Sequence, residues 1–299
     1  MTLSKIEIKK ISKRYDDVKA LNKIEVNFDK GKIYGLIGRN GAGKTTLMKI
    51  IASQLIPTSG KVIIEGNEIG NSFTDFENIC LVKDSFGKAF EEGTFMKLKT
   101  FFKIASKTYK NWDQVYFEYL CKKFDVKLNK YYSKLSRGMK TAVGLVLGLA
   151  SRADITMFDE PYIGLDAVSR EVFYAELQKD YMKHPRTIII SSHLIDELEN
   201  IFEKVVFIDK GEIIINDDVE NVTSNYYLLQ GKEKDIEKYL LDFSVMHKEK
   251  LGSLASYAVK GEMNSEVKKK ITSDNIDINK VSLQKILYYL TKGSEKNEK

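Results

Sequence analysis

The sequence predicts an α/β fold with a parallel central sheet, a helical insertion and a small C-terminal α+β unit. Apolar runs of strand length, bounded by turn residues, lie at 33–37, 155–158, 187–191 and 205–208. A continuous apolar run indicates a strand that is covered on both faces, as in a parallel sheet. Longer segments with helical spacing lie between these runs, at 42–52, 137–150 and 168–182. This alternation of strands and helices is typical of an α/β sheet.

The pattern along the chain predicts two domains. Residues 1–223 carry the strand–helix alternation and form the first. Within it, residues from about 84 to 132 are rich in Lys, Phe and Tyr and lack a strand pattern, so we predict a helical subdomain at about 84–150. Residues 224–299 form a small accessory domain, with a predicted strand at 226–230 and predicted helices at 233–243 and 283–290.

The composition indicates a chain with a substantial hydrophobic core. Hydrophobic residues make up 43% of the 299 residues, charged residues make up 30%, and only 3 prolines are present. Disorder is therefore excluded for most of the chain. The net charge of +6 suits anionic ligands. A dedicated nucleic-acid binder usually shows clustered basic stripes instead, so we expect no nucleic-acid partner.

Membrane insertion and disulfide chemistry are not expected. No stretch without a charged residue is longer than 141–151, which is far shorter than the roughly 20 residues of a membrane-spanning helix. The first ten residues lack the apolar core of a signal peptide. Cys80 and Cys121 are the only cysteines and do not form a C-x-x-C pair. We expect a protein of the reducing cytosol.

A phosphate-binding loop occupies residues 38–45, which read Gly-Arg-Asn-Gly-Ala-Gly-Lys-Thr and match G-x-x-x-x-G-K-[ST]. Its glycines let backbone N–H groups point at phosphate oxygens, and the following helix adds its positive N-terminus. Lys44 would bridge the β- and γ-phosphates, Thr45 would hold Mg²⁺, and Thr46 would donate to the α-phosphate. The predicted nucleotide-binding residues are Gly38, Asn40, Gly41, Ala42, Gly43, Lys44, Thr45 and Thr46.

A second, acidic motif indicates which reaction this loop serves. Residues 155–160 form an apolar strand that ends in Asp159 and Glu160. Asp159 would hold Mg²⁺ through its water shell, and Glu160 would polarise the attacking water. This arrangement suits hydrolysis rather than transfer to a second substrate. The N-K-x-D motif of guanine-binding proteins does not occur in the chain. We predict an ATPase that uses ATP and Mg²⁺.

A third motif resembles the L-S-G-G-Q signature of the ATP-binding cassette (ABC) family. Residues 135–139 read Leu-Ser-Arg-Gly-Met, so Ser136 and Gly138 are kept, while Arg137 and Met139 depart from the family pattern. Ser136 can cap the following helix, and Gly138 lets backbone N–H groups approach a γ-phosphate. The resemblance implies a P-loop NTPase of the ABC type.

Further positions fit the same resemblance, which covers about residues 2–220. Tyr15 stands where the family has an aromatic residue that stacks on adenine. Residues 164–166, Gly-Leu-Asp, look like the D-loop, and Asp166 is its acidic residue. His193 follows a predicted strand, at the position of the family's switch histidine, which contacts the γ-phosphate.

One position departs more seriously. After the predicted strand 79–82, the family has a glutamine that touches Mg²⁺ and links to the transport partner. Here Asp84 falls at that place, and Lys83 is the alternative if the alignment shifts by one residue. A carboxylate could contact Mg²⁺ or water, but it cannot donate a hydrogen bond at neutral pH. An acidic loop start without a catalytic role is the other interpretation.

The resemblance also implies partners. Two nucleotide-binding domains face head to tail, and each ATP lies between the phosphate loop of one and the signature of the other. The simplest arrangement is a homodimer, and a heterodimer with a paralogue is the alternative. We expect a separate transmembrane permease that holds the protein at the inner face of the cell membrane. The signature variant resembles Gram-positive exporters of antibiotics, amphipathic peptides or lipids.

Several interpretations stay open at this point. A soluble ABC ATPase that acts on ribosomes or DNA is the alternative to transport, although such proteins usually carry two cassettes or a long coiled-coil insertion. Residues 224–299 would either bind a regulatory ligand or serve as a dimer-stabilising or packing element. Residues 88–110 would either form part of the permease docking surface or serve only as the faces of inserted helices.

Overall fold

The structure is a computed structural model that describes residues 5–70, 77–83, 96–193 and 195–296, with side chains through residue 290. The chain forms two compact units. The first contains Met1–His193 and Ile201–Asn216, and the second contains Leu194–Asn200 and Asp217–Lys299. The second unit therefore includes residues 194–200 and 217–223, which the sequence pattern places in the first domain.

The first unit contains ten strands and five α-helices among its described residues. The strands are β1 (Ile6–Tyr15), β2 (Val18–Phe28), β3 (Ile33–Ile37), β4 (Ser59–Ile64), β5 (Asn67–Glu68), β6 (Ile79–Val82), β7 (Ile155–Asp159), β8 (Thr187–Ser192), β9 (Lys204–Asp209) and β10 (Glu212–Asp218), of which β10 continues into the second unit. The helices are α1 (Lys44–Ile51), α2 (Leu98–Thr108), α3 (Gln114–Lys123), α4 (Arg137–Ser151) and α5 (Ala167–Lys183). A 3₁₀ helix at Tyr132–Lys134 precedes α4.

A six-stranded sheet lies at the centre of this unit, in the order β10-β9-β3-β8-β7-β6. The pairs β6–β7, β7–β8, β8–β3 and β3–β9 are parallel. Every residue of β3, β6, β7 and β8 is buried. Burial on both faces explains why these strands appear in the sequence as continuous apolar runs. The predicted α/β fold and its strands are confirmed.

Strand register brings the candidate motifs to one edge of the sheet. Ile37 of β3 pairs with Ser192 of β8, and Asp159 of β7 pairs with Ser191. These three parallel strands therefore end side by side, at the carboxyl edge where open α/β sheets bind their ligands. The phosphate loop, the acidic motif and His193 all follow these strand ends.

A second sheet, β2-β1-β4-β5, is antiparallel and packs over α1. Ile11 and Leu21 of this sheet share one hydrophobic core with Leu47 of α1 and Met157 of β7. All four of these side chains are buried. Because α1 directly follows the phosphate loop, this core fixes the position of the loop.

Helices α2, α3 and α4 lie within the predicted helical subdomain, whose first residues, 84–95, fall outside the described part of the chain. Phe102 of α2 packs against Phe117 of α3, with 4.7 Å between the ring centroids. Trp112 contacts the same Phe117 ring at 5.2 Å. The aromatic residues of this Lys-, Phe- and Tyr-rich segment thus supply its core.

The second unit has a βαββαβ order. Its elements are α6 (Val219–Ser224), β11 (Tyr226–Lys232), α7 (Glu233–Glu237), β12 (Ser244–Leu251), β13 (Leu254–Lys260), α8 (Ser265–Ser273), β14 (Asp277–Lys280) and α9 (Leu283–Lys296). The four strands form an antiparallel sheet in the order β12-β13-β11-β14. This is a ferredoxin-like topology, with helix α6 before it and helix α9 after it.

Two of the three elements predicted for this unit are confirmed, the strand at 226–230 and the helix at 283–290. Ile286 and Leu287 are buried, as expected. The predicted helix at 233–243 is wrong in its second half. There α7 ends at Glu237 and a 3₁₀ turn follows at Leu240–Asp242. Phe243 is extended and buries its ring in the core of the unit, so the chain leaves the helix to enter β12.

A buried ion-pair network ties the helices of the first unit together. Asp180 of α5 is 3% exposed. Its Oδ1 accepts a hydrogen bond from Arg152 Nη2 at 3.0 Å, and its Oδ2 accepts one from Arg186 Nη1 at 2.7 Å. Arg152, which follows α4, also donates to Asp113 at the start of α3, at 2.6 Å. One carboxylate therefore connects α5 to two arginines on different elements.

We predict that Asp180→Ala lowers the free energy of unfolding of the first unit by about 3–5 kcal/mol, because it leaves the buried Arg186 guanidinium without its carboxylate. Urea unfolding, followed through the fluorescence of Trp112, the only tryptophan, measures this change. As a control, Glu68→Ala removes an exposed ion pair with Lys61 and should cost less than about 1 kcal/mol. Equal effects of the two substitutions would contradict the prediction.

Candidate active site

The phosphate loop is shaped by two glycines with left-handed backbone conformations. Gly41 has a φ of 81° and Gly43, which caps α1, has a φ of 110°. A Cβ at Gly43 would also lie 2.7 Å from the carbonyl oxygen of Ala20 in β2. Only glycine satisfies both the conformation and the close approach. The loop is thus held between the central sheet and the β1–β2 hairpin.

Lys44 lies under this loop and is 5% exposed. Its Nζ donates hydrogen bonds to the carbonyl oxygens of Gly38, at 2.7 Å, and Arg39, at 3.2 Å. The same Nζ lies 3.6 Å from Glu160 Oε1. Burial lowers the pKa of Lys44, and the nearby carboxylates of Glu160 and Asp159 act in the opposite direction. The ammonium group is therefore placed where phosphate oxygens would be its natural partners.

Asp159 is held by two hydroxyl groups from different elements. Its Oδ2 accepts a hydrogen bond from Thr45 Oγ1 at 2.7 Å, and its Oδ1 accepts one from Ser191 Oγ at 2.6 Å. Ser191 Oγ also accepts a hydrogen bond from the Glu160 backbone N–H at 2.9 Å. Sequence analysis missed Ser191 as a site residue. Its position at the carboxyl end of a buried strand was the one signal available.

Glu160 and His193 lie side by side. Glu160 has a φ of 48°, a left-handed conformation that is uncommon for a residue other than glycine and that clusters at functional sites. Its Oε1 lies 3.4 Å from His193 Nδ1. Tyr162, which sequence analysis did not single out, also contacts the histidine, with 2.8 Å between its hydroxyl oxygen and Nδ1. The structure thus brings the predicted base and the predicted switch residue together.

A cavity of about 480 Å³ lies over the phosphate loop and the two carboxylates that follow β7. Most of the predicted site residues line it, namely Asn40, Gly41, Ala42, Gly43, Lys44, Thr45, Thr46, Asp159 and Glu160. Ala20 and Lys83 line it as well, and Lys83 Nζ donates to Gln54 Oε1 at 3.0 Å. Asp84, the tentative metal ligand, lies outside the described residues.

The signature residues contact the D-loop instead of this cavity. Ser136 caps α4 and accepts a hydrogen bond from Met139 N at 3.4 Å. A Cβ at Gly138 would lie 2.3 Å from the Gly164 carbonyl oxygen, so the two backbones touch. Asp166 caps α5 by accepting from Ser169 N at 2.7 Å, and this hydrogen bond lowers the pKa of the Asp166 carboxyl. Ser136, Gly138 and Asp166 do not line the phosphate cavity.

Tyr15 lies at the end of β1, where its side chain is exposed. Its ring faces the Lys13 ammonium group, with 5.3 Å from Nζ to the ring centroid. It does not line the phosphate cavity, but Ala20 on the neighbouring β2 does. Tyr15 therefore lies on the sheet that borders the site, as an exposed aromatic surface.

The parallel sheet, the glycine loop that opens α1, and the paired acidic residues define a P-loop nucleoside triphosphatase. Comparison with known proteins identifies the family within this class. Residues 21–163 match the sequence pattern of the family described as ABC transporter. The chain is 28% identical over 227 residues to the ABC transporter ATP-binding protein YtrB of Bacillus subtilis, covering 75% of this chain and 76% of YtrB.

A second relative is the lantibiotic transport ATP-binding protein SrtF of Streptococcus pyogenes, with 30% identity over 250 residues that cover 76% of this chain and 99% of SrtF. The fold matches the dimeric post-hydrolysis structure of the ATP-binding cassette MJ0796 with ADP and Pi. The TM-score is 0.62 at 19% identity, over 72% of this chain and 98% of that one. The chain belongs to the ATP-binding proteins of ABC transporters, the subunits that bind and hydrolyse ATP.

We predict that Gly43→Ala weakens ATP binding at least about tenfold. The added methyl group would meet the Ala20 carbonyl and would require a strained φ, which costs on the order of 1–3 kcal/mol. Titration with a fluorescent ATP analogue measures the affinity. Gly66→Ala is the matched control, since Gly66 has a φ of 81° but no atom within 4 Å of the added Cβ. ATP affinity in Gly43→Ala equal to that of the control would show that the close approach is unimportant.

Proposed function

We propose that the protein works as one half of an ATP-binding dimer and powers export through a separate permease. The observation that supports the site assignment is the meeting of Lys44, Asp159 and Glu160 in one cavity at the carboxyl edge of the sheet. Backbone N–H groups of the loop and the start of α1 would bind the phosphates. Lys44 would neutralise charge on the β- and γ-phosphates.

Glu160 is the residue that we assign as general base. Its carboxylate is 19% exposed, so water can reach it, and it lies 3.6 Å from the Lys44 ammonium group. A carboxylate beside a phosphate-binding lysine can orient a water for attack on the γ-phosphate and accept its proton. His193, next to Glu160, would contact the γ-phosphate from the neighbouring strand end.

The side chains of Thr45 and Asp159 are suited to bind Mg²⁺. They offer a hydroxyl and a carboxylate, which are the oxygen donors that Mg²⁺ prefers, and their oxygens already lie 2.7 Å apart. Proteins commonly bind Mg²⁺ through one or two such groups and leave the other positions to phosphates and water. When bound, the ion would neutralise charge on the phosphate oxygens.

A dimer would complete the site. Ser136 and Gly138 do not line the cavity of their own chain. In the proposed head-to-tail arrangement, the signature of one subunit covers the ATP held by the phosphate loop of the other. A homodimer is the simplest form, and a heterodimer with a paralogue would satisfy the same geometry. The solved cassette that shares this fold was described as a dimer, which supports the proposal.

Export of an antibiotic, an amphipathic peptide or a lipid is the transport role that we propose. The relative SrtF is a lantibiotic transport protein, and lantibiotic is the substrate class that its name gives. In the part of the chain that the structure describes, no helix combines the length and the apolarity needed to cross a bilayer. The membrane-spanning path would therefore come from the proposed permease, which would hold this protein at the inner face of the membrane.

A surface of the helical part suits permease docking. An apolar cavity of about 360 Å³ is lined by Leu81 of β6, by Phe101 and Ile104 of α2, and by Tyr109. Ile104 is 52% exposed. The cavity overlaps the 88–110 stretch, and an exposed apolar surface of this kind suits a hydrophobic element of a partner. We propose that an intracellular segment of the permease binds there.

We predict that Glu160→Gln retains ATP binding but hydrolyses ATP at least about 100-fold more slowly, because the amide cannot accept the proton of the attacking water. The ATP-bound dimer should then accumulate, and light scattering after size-exclusion chromatography measures it. Glu171→Gln, a change of the same kind on the exposed face of α5, should leave turnover unchanged. Wild-type turnover in Glu160→Gln would remove this residue from its assigned role.

We predict that the same Glu160→Gln variant, loaded with Mg–ATP, retains a multi-span membrane protein when it is used as bait on detergent-solubilised membranes of its host. Mass spectrometry of the bound proteins, at near-equal stoichiometry, measures the outcome. The same variant without nucleotide is the control, since it should not form the ATP-bound dimer. Recovery of ribosomal proteins or nucleic acid without a permease would favour a soluble ABC ATPase and overturn the transport proposal.

A further inference from the structure

Tyr162 is a buried residue in the loop between Glu160 and the D-loop. It is 4% exposed, whereas the His193 side chain beside it is 41% exposed. The two rings form an edge contact, with 5.4 Å between centroids and 77° between planes. A fixed aromatic residue therefore lies against a histidine whose other side faces solvent.

Two hydrogen bonds join the same pair. The His193 backbone N–H donates to the Tyr162 hydroxyl oxygen at 3.1 Å. The hydroxyl oxygen also lies 2.8 Å from His193 Nδ1. A tyrosine hydroxyl can accept one bond and donate another. If it accepts from the backbone N–H and donates to Nδ1, one group orients both the main chain and the ring of the histidine.

This donation would select one form of the imidazole. A neutral histidine carries its proton on one ring nitrogen, and the other nitrogen accepts. With Nδ1 accepting from Tyr162, the proton lies on Nε2. Nε2 is then the nitrogen left to face a γ-phosphate, and it can donate a hydrogen bond to it.

The same arrangement also affects the hydrogen bonding of the Glu160 carboxylate. Its Oε1 lies 3.4 Å from Nδ1, further than the tyrosine oxygen at 2.8 Å. While Nδ1 accepts from Tyr162, it carries no proton to donate to the Glu160 carboxylate. The carboxylate is then left available for the attacking water.

We propose that Tyr162 is a positioning residue that holds His193 in the Nε2-protonated form, with Nε2 directed to the γ-phosphate. The proposal rests on the proposed ATPase function of this site for its kinetic consequence. Its structural content, the protonated nitrogen of His193, is independent of transport and of hydrolysis. Tyr162 acts through His193 and does not itself touch the reacting atoms.

The test begins with the unmodified protein. Long-range ¹H–¹⁵N correlation spectra at about pH 8.5, above the range in which histidine ordinarily titrates, distinguish the two neutral forms. The chain has only 3 histidines, so comparison with His193→Gln assigns the signal. We expect a protonated Nε2 and an unprotonated Nδ1. A protonated Nδ1 in the wild type would overturn the proposal without any change at Tyr162.

The second measurement uses Tyr162→Phe, which keeps the ring and removes the hydroxyl. We expect His193 to become a mixture of both forms, and kcat for ATP to fall by about tenfold with KM within about twofold, as for loss of one orienting hydrogen bond. Tyr181→Phe is the matched control. Its hydroxyl donates to Gly31 O at 2.6 Å and lies close to Glu203, away from the histidine.

The two variants distinguish a specific role of Tyr162 from a general effect of losing a tyrosine hydroxyl. Tyr181→Phe should leave the His193 signal and kcat unchanged, which shows that loss of a hydrogen-bonded tyrosine hydroxyl alone does not explain the effect. An unchanged His193 signal in Tyr162→Phe would overturn the proposal, whatever happens to kcat. If the wild type fails to hydrolyse ATP, the proposed function is wrong, yet the spectra still decide the role of Tyr162.

Discussion

The buried carboxylate of Asp159 is the interaction on which the site depends. Each of its oxygens accepts a hydroxyl hydrogen bond, one from Thr45 at the start of α1 and one from Ser191 at the end of β8. A carboxylate that is 9% exposed is costly unless such bonds compensate for the lost water. Because Ser191 Oγ also accepts a hydrogen bond from the Glu160 backbone N–H, one hydroxyl fixes the positions of both Asp159, the proposed metal ligand, and Glu160, the proposed general base. The phosphate loop and the acidic motif cannot move independently.

Close backbone contacts extend this constraint to the signature. At Gly138, the Gly164 carbonyl occupies the space that a side chain would need. Nearby, Thr141 Oγ1 donates to the Ile163 carbonyl at 2.7 Å, which ties α4 to the loop that follows Glu160. Gly138, which we propose lets backbone N–H groups approach a phosphate, is therefore also required by the packing within its own chain. In the proposed head-to-tail dimer, contact between the signature and the ATP of the partner subunit would shift the loop that follows Glu160.

The sequence predicts the central sheet and the phosphate loop because both have strong local signals. Buried parallel strands appear as apolar runs, and the glycine loop has a fixed spacing. Ser191 and Tyr162 lack such a signal, since their importance comes from strand register and from contact with distant residues. The ferredoxin-like sheet was missed for a different reason. Strand β12 is mostly exposed and reads Ser-Val-Met-His-Lys-Glu-Lys-Leu, so no continuous apolar pattern marks it.

The division between the two units also could not be placed from the sequence, because the second unit is not continuous in the chain. It includes Leu194–Asn200, the segment that directly follows His193. Within that unit, the Glu199 carboxylate accepts a hydrogen bond from the Leu283 N–H at the start of α9, at 3.3 Å. Burial raises the pKa of Glu199, and this hydrogen bond acts in the opposite direction. Removal of residues 224–299 would therefore leave Glu199 without its partner. The accessory unit cannot be treated as a separable appendage, because the chain enters it directly after His193.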